Sequence, residues 1–135
     1  MTDDVFVGRL MSSPVRSVSS DTSARAAAEK MIDADIGSLV VLDEEGRLDG
    51  ILTATDFIKL AAAGEDADAT PVSEYMTTEV ETTTANEPVV EVARTIVEKG
   101  FHHVPVVDDD NRAVGMITTA DLTAYITHIE SPELA

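Results

Sequence analysis

The sequence predicts an α+β fold built from two copies of one β-α-β-β-α unit, and three observations carry that prediction. The first is a repeated motif: Gly50-Ile-Leu-Thr-Ala-Thr-Asp56 returns as Gly115-Met-Ile-Thr-Thr-Ala-Asp121, 65 positions later. The second is that a gap-free shift of 65 also pairs Val7 with Val72, Met11 with Met76, Val15 with Val80, Ala28 with Ala93, Val41 with Val106 and Arg47 with Arg112. A fixed period of this kind means one structural unit repeated, each copy burying a face the other exposes. The third is that helical apolar stripes alternate with short continuous apolar runs in the same order in both copies.

Taken in order, Val5 to Met11 reads as a short helical lead-in stopped by Pro14, and Val15 to Val18 alternates apolar and polar as a short strand does. Asp21 and Thr22 offer caps for the next helix. There Ala24, Ala27, Ala28, Met31 and Ile32 fall at i, i+3, i+4, i+7 and i+8, the stripe of a half-buried helix. Val89, Val92, Ala93, Ile96 and Val97 repeat that stripe, with Pro88 placed as first helical residue and Gly100 placed to end the helix. Leu39 to Leu42 and Val104 to Val107 are buried strands, each closed by an acidic turn, Asp43-Glu44-Glu45-Gly46 or Asp108-Asp109-Asp110-Asn111. A further strand then leads into each glycine motif. Thr53 and Thr118 stand where strand spacing gives way to helical spacing and serve as N-caps, with Asp56 and Asp121 in the first helical turn. The pattern Thr-x-x-Asp before an apolar run is a common capping signature, and a helix N-terminus with a hydroxyl and a carboxylate also suits a sugar phosphate. Both readings stay open at this point. The expected organisation is repeat 1 over residues 1–62, a flexible linker over 63–70 ending at Pro71, repeat 2 over 71–130 and a frayed tail over 131–135.

Composition limits the function. Repeats of roughly 60 residues are marginal alone, so the halves are expected to share a core. There is no cysteine, hence no disulfide framework, thiolate metal site or cysteine nucleophile. No apolar run approaches the roughly 20 residues of a membrane span, and Thr2, Asp3 and Asp4 lack the basic start of a signal peptide, so a soluble cytoplasmic protein is expected. Acidic residues number 26 against 9 basic, a formal net charge of -17 spread over a chain that is 44% hydrophobic. Dispersed acids on a patterned chain describe a solvated acidic surface, and we expect one suited to a salt-rich cytoplasm. The absence of a basic patch argues against nucleic-acid binding.

The two Gly-x-x-Thr-x-x-Asp segments, the openings Met11-Ser12 and Met76-Thr77, and the run Phe101-His102-His103-Val104-Pro105-Val106-Val107-Asp108 together resemble one known family. Over nearly its whole length the chain is similar to a tandem cystathionine-beta-synthase (CBS) domain pair, the Bateman module. The resemblance implies two repeats related by pseudo-twofold symmetry and packed sheet to sheet in one module. It also implies a ligand of the AMP, ADP or ATP class, with or without magnesium, or S-adenosylmethionine, held in the cleft between repeats, with no cofactor required. By that resemblance Asp56 and Asp121 accept the ribose hydroxyls and Thr53 and Thr118 contact phosphate. Adenine would lie against Val18 with Leu39 in one site, and against Val80, Thr83, Val104 and Pro105 in the other. The chemistry is consistent, since a carboxylate is acceptor-only and takes two adjacent hydroxyl donors.

His102 and His103 match positions where related modules place a base against phosphate, whereas repeat 1 has Gly37 and Ser38 there, and Val40 in place of Pro105. The two sites should therefore differ. Neighbouring strand residues point to opposite faces, which disfavours the two histidines as a metal pair, and no metal site is expected. Arg47 and Arg112, in turns after acidic runs, read as local surface ion pairs, and His128 as a surface residue. Three functional classes stay open: a regulatory module sensing an adenine nucleotide as a homodimer that signals to an effector protein, a dimerising or partner-docking module with no physiological nucleotide, and an enzyme. The last is disfavoured because the chain carries no nucleophile elbow, phosphate-binding P-loop or metal cluster.

Overall fold

The glycine motif owes its first residue to a close approach of two backbones. In the computed structural model, which describes residues 5–130 and side chains through residue 127, Ile51 exchanges two backbone hydrogen bonds with Thr77, both 3.0 Å. A Cβ on Gly50 would stand 2.7 Å from the Thr77 carbonyl oxygen and 2.9 Å from the Met76 sulfur. The second copy repeats this. Ser12 and Met116 bond reciprocally at 2.8 and 3.0 Å, and a Cβ on Gly115 would meet the Met11 sulfur at 2.5 Å and the Ser12 carbonyl at 3.0 Å. Each Met-Ser/Thr opening thus lies on the last strand of the other copy.

The elements in chain order are α1 (Val7–Leu10), β1 (Ser17–Val18), α2 (Ala24–Ala34), β2 (Ser38–Leu42), β3 (Leu48–Thr53), α3 (Ala54–Ala62), a single 3-10 turn (Val72–Glu74), α4 (Val89–Lys99), β4 (His103–Val107), β5 (Ala113–Thr118) and α5 (Thr119–Glu130). They form two compact units that do not follow the sequence halves. One, here the Asp56 unit, comprises Val15–Val80 and Asp110–Ala113; the other, the Asp121 unit, comprises residues 5–14, 81–109 and 114–130.

In the Asp56 unit β1 runs parallel to β2, and β2 antiparallel to β3, with Leu39 opposite Leu52 and Val41 opposite Gly50. Its core is Ala27, Met31, Leu39, Val41, Leu52 and Val72. The core of the Asp121 unit is Val92, Ile96, Val104, Val106, Ile117 and Val7. These are the same six positions shifted by 65, but Val72 and Val7 have changed places. The lead-in helix of each copy completes the core of the other, which is how two short repeats come to share their apolar interior.

The same exchange caps the long helices. The Ala24 N–H donates to the Thr70 carbonyl and the Val89 N–H to the Val5 carbonyl, both at 2.8 Å, so each opening segment satisfies a helix end that would otherwise lack partners. The stretch expected as a flexible linker is therefore bound. Ala67 accepts from the Arg25 N–H at 3.1 Å, and the buried Thr70 hydroxyl donates to the Asp66 carbonyl at 2.8 Å. The 131–135 tail expectation falls outside the described residues.

Other expectations need correction. The side-chain cap of α2 is Ser23, whose hydroxyl accepts from the Ala26 N–H at 3.1 Å. Asp21 and Thr22 instead bind Ser19 in the preceding turn. Pro88 is the N-cap of α4, one residue before the helix, whereas Gly100 ends it as expected, at φ 77°. The apolar stripes are narrower than their periodicity implied: Ala27, Met31, Val92 and Ile96 are buried, but Ile32 is 76% and Val97 82% exposed. Finally, the first strand of the second copy shrinks to one parallel bridge, Thr83 with Val106. The cause is Pro105. In the first copy the Val40 N–H donates to Arg16 O and extends the ladder, while the matching Pro105 has no N–H to give.

Two stability outcomes follow from this packing. Gly50→Ala should cost about 1–3 kcal/mol, because the Thr77 carbonyl is backbone and must move, measured by urea unfolding. Ile96→Ala should cost about 2–5 kcal/mol, whereas Val97→Ala should stay within about 0.5 kcal/mol, which denaturant midpoints distinguish.

Candidate ligand site

Both Thr-x-x-Asp segments form reciprocal capping boxes. In the Asp56 unit the Thr53 N–H donates to Asp56 Oδ2 at 2.9 Å, and Asp56 is only 6% exposed. Burial pushes its carboxyl above the ordinary 3.8, against the opposing effects of the Thr53 N–H, the Lys59 charge and the Thr53 hydroxyl. In the Asp121 unit the Thr118 N–H donates to Asp121 Oδ2 at 2.9 Å, the Thr118 hydroxyl donates to the same oxygen at 3.1 Å, and the Asp121 N–H donates back to that hydroxyl at 3.2 Å. Asp121 is half-buried. In each box one carboxylate oxygen holds the helix start, leaving Oδ1 as a further acceptor. The capping and ligand readings of the motif are thus compatible for the carboxylates. The Thr118 hydroxyl, however, has its hydrogen already directed at Asp121.

Around the start of α5 the structure gathers His102, His103, Thr118, Thr119 and Asp121. The Thr119 N–H donates to the His102 carbonyl at 3.0 Å, and the Thr119 hydroxyl stands 3.4 Å from His102 Nδ1. His103 lies half-buried on β4. Burial, and then the neighbouring His102 charge, hold its pKa below the ordinary 6.5, against a pull upward from Asp121. The two ring-bearing residues have no counterpart in the other unit, where Gly37, Ser38 and Ala54 occupy the positions matching His102, His103 and Thr119, and the exposed Thr55 stands where this unit has Ala120.

The remaining expected site residues fare differently. Leu39 and Val104 are buried within the two cores, Pro105 is also fully buried, and Val18 packs against the core of the Asp56 unit. They shape strands more than they offer open side chains. Thr83 is 5% exposed and its hydroxyl donates to the Glu87 carboxylate. Val80 ends the Val15–Val80 segment of the Asp56 unit, whereas Thr83 and Asp121 belong to the other unit. Thr119 and Glu87 were missed by sequence reasoning. A residue-by-residue comparison of the copies, Thr119 against Ala54 and Glu87 against Thr22, would have exposed both.

Arg47 and Arg112 sit away from these groups. Each pairs with an acid two residues away, Glu45 at 3.5 Å and Asp110 at 3.3 Å, as expected. In addition Arg47 Nε donates to the Asp110 carbonyl and Arg112 Nε to the Glu45 carbonyl, at 3.1 and 2.9 Å, joining the two acidic turns. The side chain of His128 lies outside the described residues. An open hollow of about 630 Å³ is lined by Ser19, Ser20, Asp21, Leu42, Asp43, Glu44, Glu45 and Asp49. It contains no motif residue and its acids repel an anion. Among the described residues no cluster of His, Cys, Asp or Glu could hold a metal ion, and no helix is long and apolar enough to cross a membrane.

Comparison with known proteins agrees with this duplicated arrangement. The family model for the CBS domain matches twice, over residues 7–63 and 72–128. The chain belongs to the CBS domain family. The solved CBS domain pair of protein MJ0100, in complex with 5′-methylthioadenosine and S-adenosyl-L-methionine, is 33% identical, with a TM-score of 0.87 over 93% of this chain and 98% of that one. An uncharacterized 17.7 kDa protein of Acidianus ambivalens is 30% identical over 93% of this CBS pair and 75% of its own length. L-aspartate semialdehyde sulfurtransferase of Methanocaldococcus jannaschii is 35% identical over 87% of the pair, which spans only 22% of that protein.

His103 supplies a test of the local electrostatics. Its depressed native pKa means that below the ordinary 6.5 the unfolded chain takes up a proton that the native state resists, so its contribution to stability falls as pH falls through that window. Between pH 7.5 and 5, the stability of the wild type relative to His103→Gln should decline, as read by urea unfolding at each pH.

Proposed function

We propose that this CBS pair is a regulatory module that senses an adenosine-containing ligand of the AMP, ADP or ATP class, or S-adenosylmethionine, rather than an enzyme. Asp56 and Asp121 accept the ribose hydroxyls through the carboxylate oxygen not used by the cap. The observation that carries this reading is the pair of equivalent capping boxes, each leaving one acceptor oxygen beside the start of a helix. The adenosine ligands of the similar MJ0100 pair support it. In the Asp121 site His102 and His103 supply donors to a phosphate, and magnesium, where present, enters with the nucleotide. The protein acts in the cytoplasm as a homodimer, and ligand binding changes what an effector protein meets.

A second reading, a dimerising or docking module with no nucleotide, is favoured by the apolar side chains that the helices leave uncovered. Ile32 and Val97, equivalent positions on α2 and α4, are 76% and 82% exposed, and Ile58 and Ile126 are 67% and 57% exposed. Such residues also suit the homodimer of the first reading, so ligand response decides between the two.

The deciding measurement is a thermal-shift series in molar KCl with AMP, ADP, ATP and S-adenosylmethionine. A ligand that binds only the native state adds about 2.7 kcal/mol at a hundredfold excess over Kd, a rise of several degrees. Asp121→Ala should lower affinity at its site by about 1.5–3 kcal/mol, and Asp56→Ala combined with Asp121→Ala should abolish the shift. A flat response from the wild type with an intact dimer would favour the docking module.

A further inference from the structure

The two Met-Ser/Thr openings are a repeated motif that the ligand site does not use. Each places a thioether on a glycine. Met76 covers Gly50 and Met11 covers Gly115, so closely that a Cβ on the glycine would stand 2.9 Å from the sulfur in the first case and 2.5 Å in the second. Met76 also packs against the core of the Asp56 unit, and Met11 against the core of the Asp121 unit. Both residues are nevertheless half-buried rather than sealed, so a small reagent can reach them.

A thioether in this setting is a place for chemistry. The chain has no cysteine and five methionines, so all of its sulfur chemistry belongs to thioethers. A peroxide transfers one oxygen atom to such a sulfur: the sulfur gives up two electrons and gains an S–O bond, the peroxide O–O bond breaks, and water or an alcohol leaves. The sulfoxide is polar where the thioether was apolar. At Met76 the added acceptor finds no free donor along the crossing, since the Ile51 and Thr77 N–H groups are bonded to each other's carbonyls at 3.0 Å. At Met11 the Ser12 and Met116 N–H groups are committed in the same way, at 2.8 and 3.0 Å. With the glycine against one side of the sulfur and a packed core against another, the oxygen is accommodated only when the side chain leaves the glycine. Two other methionines differ. Met31 is only 7% exposed, and Met116 is half-buried on β5 outside both core clusters.

We propose that Met11 and Met76 are paired oxidation sites, at which an oxidant of the peroxide class releases the opening segments from Gly115 and Gly50. Release weakens the hold on Val7 and Val72 in the two cores, and on the Val5 and Thr70 carbonyls at the ends of α4 and α2. It also frees one side of β3 and β5, the strands that end at Thr53 and Thr118. Oxidant thereby acts on the module by a route that does not depend on the sensing reading above.

The test is treatment of the full chain with hydrogen peroxide in molar KCl, followed by mass mapping of each methionine and by urea unfolding. Sulfoxide should form at Met11 and Met76 in the folded chain but not at Met31, and the urea midpoint should fall by about 0.5 M or more. Met11→Leu combined with Met76→Leu, a volume-conserving exchange, should keep its midpoint through the same treatment even where Met116 is oxidised. Methionine sulfoxide reductases of both epimer specificities, with a thiol reductant, should restore the wild type. An unmoved midpoint after full oxidation of Met11 and Met76 would overturn the proposal, as would an equal fall in the double variant. Resistance of both sulfurs under conditions that oxidise Met31 would overturn it too. Should the double variant not fold, the wild-type time course decides: the fall should track sulfoxide at Met11 and Met76, and a fall that tracks Met31 or Met116 instead would count against the assignment.

Discussion

The structure depends on a contact that only glycine permits. Where the Thr77 and Ser12 segments cross Gly50 and Gly115, two backbones pair with no space for a Cβ, and Met76 and Met11 cover the glycines from above. That contact fixes where each opening segment lies. Once it is made, Val72 and Val7 fall into the cores of the opposite copies, and the Thr70 and Val5 carbonyls meet the first N–H groups of α2 and α4. A repeat too short to bury its own apolar face thereby obtains the missing core residue and a helix cap from one exchanged segment.

The capping boxes at the ends of β3 and β5 use the same economy of groups. A carboxylate in the first turn stabilises the helix through one oxygen, Oδ2 in both copies, so the cap occupies only half of the side chain's acceptor capacity. The difference between copies lies in what surrounds the box. Asp56 is buried beside small residues and its carboxyl is pushed up by desolvation, whereas Asp121 is half-buried among histidines and threonines. Duplication has preserved the backbone geometry and the acceptor, while the charged neighbours have diverged.

Pro105 shows how one residue changes a sheet. Val40 donates the hydrogen bond that lengthens the β1–β2 ladder, and proline at the matching place ends the ladder after a single bridge. Thr83 instead directs its hydroxyl to Glu87. The second copy thus opens with a less regular edge.

Much of this was legible in the sequence, because helix, strand and cap preferences act over a few residues and the 65-residue shift repeats them. The α+β class, the order of elements, the Gly100 stop, the capping threonines and the difference between His102-His103 and Gly37-Ser38 all belong to that local level. Tertiary structure alone decided which segment completes which core, since a shift of 65 pairs Val7 with Val72 but cannot say that they trade places. It also decided that residues 63–70 are bound, because the acceptors they offer matter only once α2 is beside them. Burial was the other tertiary outcome. Periodicity marked Ile32 and Val97 as apolar, yet only the packing of α2 and α4 shows that the buried stripe ends before them, for hydrophobicity states what a side chain favours and geometry states what is there to cover it.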